Sequence, residues 1–158
     1  MLNLGQPTNE TKRAIPLALL KLASDNEIQG ITRFQKLVFL LQEGDLLNMD
    51  EISDDEKFDY KPHNYGPYSK ELHDWLDELA KQGTIQREIK ETPAGNEKEV
   101  YHWSDEDEDA IADTDILTDE DMRGRVSAVL DEFNSIPLLE LLDEVYEAYP
   151  EYTINSKR

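Results

Sequence analysis

The side chains able to do chemistry are few and scattered. Cysteine is absent, which removes thiolate nucleophiles, disulfides and thiolate metal ligands. The three histidines, His63, His73 and His102, fall into no HExxH or related ligand spacing. Asp105, Asp107 and Asp109 begin like an EF-hand loop, but Ala110 stands where the turn requires glycine and Ile116 where a bidentate glutamate should close it. A charged, solvated segment is the simpler reading. There is no GxSxG elbow, no phosphate-binding loop and no GxGxxG. These residues give no catalytic site, metal or cofactor, and the chain reads as non-enzymatic.

One window departs from this plainness. The stretch FDYKPHNYGPYSKEL (Phe58–Leu72) holds Tyr60, Tyr65, Tyr68, Pro62, Pro67, Gly66 and His63 together. Pro67 has a fixed φ and no N–H, so it suits the first position of a helix, expected over Tyr68–Lys81. Gly66 can adopt whatever angles the junction needs. Gly66 and Pro67 therefore read as a structural hinge that launches a helix, with Tyr60, Tyr65 and Tyr68 stacked on its first turn. Buried hydroxyls need partners, and His63, Asn64 and Ser69 are near in sequence. His63, Tyr65 and Tyr68 are also candidates for partner contact, because tyrosine is enriched at interfaces.

Charge restricts the partners. Thirty-six acids face sixteen Lys and Arg, for a net charge of −20. Such self-repulsion is screened in molar salt, where the Debye length falls to about 3 Å. The acids recur in every expected helix after the first, which suits a salt-loving host, a halophilic archaeon. An ordinary protein with an acidic tail region is the alternative. No apolar run approaches membrane-span length, and Met1–Arg13 carries no basic and apolar leader pattern. The expected location is the cytoplasm, with no membrane association.

Several elements must position these residues. Ile15, Leu17, Leu20 and Leu22 give a first helix over Ala14–Ser24, after a tail over 1–13, and Asn26–Gly30 reads as a turn. Thr32 and Gln35 read as a capping box that starts a second helix at Arg33, with Gly44 as its stop. Phe58–Tyr60 reads as a short strand. Tyr68, Leu72, Trp75, Leu76 and Leu79 mark the third helix, which ends at Gly83. Thr84–Glu91 and Lys98–Ser104 alternate around TPAGN, the signature of a hairpin. Residues 105–117 form an acidic linker. Thr118–Phe133 and Pro137–Tyr149 are amphipathic helices; Leu138, Leu139, Leu142, Val145, Tyr146 and Tyr149 make the apolar face of the second. The outline is α+β: a winged helix-turn-helix, three helices plus a β-hairpin wing, over 14–104. Two additional C-terminal helices over 118–158 pack on the same domain and offer a homodimer arm.

The segments FQKLVFLL (Phe34–Leu41), NYGPYSKEL (Asn64–Leu72) and the Leu76–Ile85 spacing resemble the YwgA-like winged-helix family. They are more distantly similar to the Panacea domain of SocA-like antitoxins. The resemblance spans roughly Ile15–Lys157, and the acidic insertions at Met49–Lys57 and Asp105–Asp115 depart from it. It implies a winged-helix fold without enzymatic activity.

Two functions compete. As a transcription-regulator-like DNA binder, ranked slightly first on fold analogy, the chain would use Arg33, Lys36, Lys70, Arg87 and Lys90 against phosphates and bases. As an antitoxin-like or defence-associated adaptor, it would use the tyrosine window and the acidic face of Ser69–Lys81 to hold a protein partner.

Overall fold

The computed structural model describes residues 7, 9–103, 116 and 118–153. Helix α1 spans Glu10–Leu22, strand β1 Glu27–Gln29 and helix α2 Ile31–Glu43. A short hairpin follows, β2 (Lys61–His63) and β3 (Gly66–Tyr68). Then come α3 (Lys70–Lys81), β4 (Ile85–Glu91), β5 (Glu97–Trp103), α4 (Glu120–Phe133) and α5 (Leu138–Ala148). Among the described residues the architecture is α+β, with five helices and two small antiparallel sheets. One sheet runs β1-β5-β4; the other is β2-β3.

Helix α1 begins earlier than its apolar stripe, so residues 10–13 belong to the helix and not to a tail. The Asn9 side chain accepts from Lys12 N at 2.9 Å, satisfying a first-turn amide. Pro16 consequently lies inside the helix, where it has no N–H for the carbonyl of Lys12. Burial of the whole run Ala14–Leu20 outweighs that loss.

The expected turn at Asn26–Gly30 is largely a strand. A 3-10 turn over Ser24–Asn26 closes α1, with Asn26 Nδ2 donating to Lys21 O at 2.7 Å. Ile28 then enters the core opposite Tyr101. The Thr32–Gln35 capping box does not form either. Gly30, at φ 96°, is the N-cap of α2, and no side chain caps this end. Gly44 ends the helix as expected, in the left-handed conformation at φ 77°.

Helix α2 is the centre of the molecule: every residue from Arg33 to Gln42 is buried. Its apolar members join α1, α3, β4, β5 and both C-terminal helices in one core. Val126, Val129, Leu130, Phe133, Leu141 and Val145 belong to that same core, so α4 and α5 are integral to it. The first turn of α5 extends past the buried stripe. Leu138 and Leu139, expected inside, are 38% and 63% exposed.

The tyrosine window differs most from its expected form. The strand is Lys61–His63, not Phe58–Tyr60, and Pro67 lies in β3 opposite Pro62. Helix α3 starts after Ser69, whose Oγ accepts from Leu72 N at 3.1 Å. The chain reverses through Asn64–Tyr65, and Gly66, at φ 92°, opens β3. A Cβ there would lie 2.8 Å from Tyr146 Cε1. Gly66→Ala should therefore lower the unfolding free energy by about 1–3 kcal/mol through left-handed strain and the tyrosine contact. Urea denaturation measures it; an unchanged midpoint would show that this turn is not constrained.

Candidate ligand pocket beside helix α2

A buried polar side chain needs a partner, and α2 carries four such side chains. Gln35 and Gln42 stand two turns apart on one face. Gln42 Nε2 donates to Phe58 O at 3.1 Å, and its Oε1 accepts from Phe58 N at 3.0 Å. Gln35 grips Ser69 in the same way, at 2.8 and 2.9 Å. The two amides thus fix both ends of Phe58–Ser69. Tyr60 adds a bond from its hydroxyl to Gln35 O at 2.7 Å and packs edge-on against Phe39.

Lys36 is 2% exposed, and its Nζ donates to Pro67 O at 2.9 Å. Among the described residues, the ion pairs include none to Lys36. Burial pushes the ammonium down to about 7. Arg33 is also buried, and burial lowers its pKa. Its guanidinium donates to the carbonyls of Phe133, Asn134 and Ile136 at 3.0, 3.2 and 2.8 Å. It therefore satisfies the C-terminal end of α4 and is not available to a phosphate.

A pocket of about 170 Å³ opens between α2 and the β2–β3 turn. Ile31, Thr32, Gln35 and Lys36 form its α2 wall. His63, Asn64, Tyr65 and Tyr68 form the other. The His63 ring stacks on Tyr68 at 4.7 Å between centroids, with 29° between planes. The Tyr68 hydroxyl and His73 Nδ1 share a hydrogen bond at 2.5 Å. Burial and then Asp74 raise the Tyr68 pKa. Tyr65 is 48% exposed at the mouth.

Four of the sequence candidates, Lys36, His63, Tyr65 and Tyr68, thus meet in one place. The remaining cations do not join them. Lys70 pairs with Asp74 at 2.8 Å, Arg87 with Asp77, and Lys90 lies 4.0 Å from Glu88. Gly66 and Pro67 form the strand whose carbonyl receives Lys36. Sequence reasoning missed Thr32, Asn64 and the two clamping glutamines. Their signal was FQKLVFLLQ (Phe34–Gln42), in which two glutamines recur at a helical interval inside an apolar run.

The arrangement can hold a small molecule against an amine that changes charge near neutral pH. Among the described residues, no cluster of three His, Asp or Glu is placed to hold a metal. No protein-family model matches the chain, and no curated protein matches it.

Two outcomes follow from this geometry. Gln35→Ala leaves the Ser69 amide and carbonyl without their partner and should cost about 2–4 kcal/mol. Chemical denaturation checks it, and a loss below about 0.5 kcal/mol would deny the clamp. The second outcome is a pH effect. Lys36 is depressed in the folded protein, so the unfolded chain binds more protons between pH 7 and the ordinary lysine range. Stability from this group should rise across that window, by about 1 kcal/mol per pH unit, and level off at its lowest value below pH 7. The groups facing it are His63, Tyr65 and Tyr68. Buried Tyr60, whose pKa is raised, works in the opposite sense above pH 10. The comparison is therefore wild type against Lys36→Met between pH 7 and 9.5. Parallel stability curves would contradict the assignment.

Proposed function

We propose that this chain is a non-enzymatic winged-helix module that engages a protein partner. The winged-helix reading is supported by the order α1-β1-α2-α3-β4-β5, by the sheet order β1-β5-β4, and by a wing turning at Thr92–Asn96. The hairpin β2–β3 is then an insertion before the third helix. Among the described residues, no helix is long and apolar enough to cross a membrane. The proposed setting is the cytoplasm of a salt-loving cell.

One observation carries the choice of partner. Each cation that the sequence offers to DNA is either buried or set beside an acid. Arg33 donates to three backbone carbonyls, Lys36 is buried against the carbonyl of Pro67, Lys70 and Arg87 pair with aspartates, and Lys90 approaches Glu88. Helix α3, the recognition helix of this reading, presents Glu71, Asp74, Asp77 and Glu78 with only Lys70 and Lys81. An acidic helix approaches phosphates poorly and suits a basic protein surface.

DNA binding is the second reading. It is favoured by the hairpin, where Arg87, Lys90 and Lys98 project from one wing; Lys98 reaches Gln29 Oε1 at 2.7 Å. A dimer through α4 and α5 would have to use the exposed Leu138–Leu139 turn, since Leu142, Val145 and Tyr149 of that face are buried.

Fluorescence anisotropy with random duplex DNA and the upstream duplex of its own gene, titrated from about 0.1 M KCl to molar levels, separates the readings. The expected result is no saturable binding at any salt. Saturable, sequence-selective binding that survives high salt would overturn the partner reading and return attention to Arg87 and Lys90.

A further inference from the structure

We infer that the pocket between α2 and the β2–β3 turn binds a compact organic carboxylate whose charge rests against Lys36. The inference is independent of the partner-binding reading.

The sign of the charge comes from the lining. The chain has 36 Asp and Glu in 158 residues, yet this pocket is lined by none, and it holds a lysine and a histidine. Three other clefts differ. One is lined by Asp25, Glu27 and Asp131, another by Glu10, Glu56 and Asp119, and a third by Asp50, Glu56, Asp119 and Asp121.

The anchor is a buried amine that donates to a neutral carbonyl, that of Pro67. An ammonium has three N–H donors, and a buried charge is stable only when paired. Among the described residues no acid pairs with Lys36, and a carboxylate in the pocket would supply that counter-charge. The first turn of α2, with Ile31 and Thr32, forms the same wall and has no side-chain cap. Its positive dipole end adds to the preference for an anion.

Shape selects the anion. About 170 Å³ admits a short body, and Tyr65, Tyr68 and Ile31 offer it ring and aliphatic surface. A fully hydrated inorganic oxyanion gains little from such walls. A carboxylate with an aromatic or short apolar body uses both the lysine and the rings. Lys36 is depressed by burial, so the empty site is partly neutral near pH 7. A bound carboxylate would draw the proton back on, and affinity should weaken as pH rises.

The test is an amide NMR titration of the folded protein with sodium benzoate, sodium acetate and sodium sulfate at constant ionic strength. Benzoate should give saturable shifts at Thr32 and Asn64, and its affinity should fall at least about tenfold from pH 6.5 to 9. Lys36→Met replaces the amine with an apolar side chain of similar shape and should abolish benzoate binding while the spectrum stays dispersed. Tyr65→Ala, at a half-exposed position, should weaken benzoate more than acetate. No saturable shift up to about 50 mM benzoate would overturn the inference. So would equal affinity in Lys36→Met, or sulfate binding as tightly as benzoate.

Discussion

A helix buried on every side cannot leave its polar atoms unpartnered, and α2 solves this by bonding to backbone of neighbouring segments. Arg33 takes the last carbonyls of α4. Gln35 and Gln42 each make a two-way grip on a single peptide. Lys36 takes the carbonyl of Pro67. Among the described residues, no buried side-chain nitrogen or oxygen is left without a hydrogen bond. Arg125 completes the pattern from the other side, donating from α4 to Leu41 O at 2.8 Å and to Asp50 O.

This arrangement decides what the tyrosine window can be. Phe58–Ser69 contains only a three-residue ladder, too little to hold a hairpin in water. Its shape comes from the two glutamines at its ends and from the ring cluster of Tyr60, Tyr149 and Tyr152 around Phe39. Because the ends are fixed, the turn at His63–Tyr65 stands away from α2 and leaves the pocket beneath it. The glutamines are neutral and therefore inexpensive to bury. Lys36 is not, and its depressed pKa records the cost of keeping a cation inside. An apolar side chain there would pack without that cost, which is why the lysine reads as functional.

Regular elements were legible where a local pattern repeats. The stripe Leu72, Trp75, Leu76 and Leu79 is the buried face of α3, and TPAGN is the turn of the β4–β5 hairpin. Elements defined by distant partners were not. Strand β1 has three residues and exists because Tyr101 and its neighbours pair with it. Gln35 sits three residues after Thr32, as in a capping box, yet its amide is drawn to Ser69, far along the chain. The acidic linker over 105–117, Ile116 apart, lies outside the described residues. The site was half legible. His63, Tyr65 and Tyr68 were marked by composition. Arg33 and Lys36 were read as surface cations because each was considered singly. The surrounding run, Phe34 and Leu37–Leu41, leaves α2 no polar face, and a helix apolar all round is a buried one.

The central claim is that the two glutamines hold the window, and amide hydrogen exchange tests it directly. The amides of Phe58 and Ser69 bond only to side chains, Gln42 Oε1 and Gln35 Oε1. If the clamps are real, both amides exchange as slowly as those in the middle of α2, opening only with the core. If they exchange as fast as the exposed β4–β5 turn at Gly95, the clamps do not hold this segment and the pocket has no fixed wall.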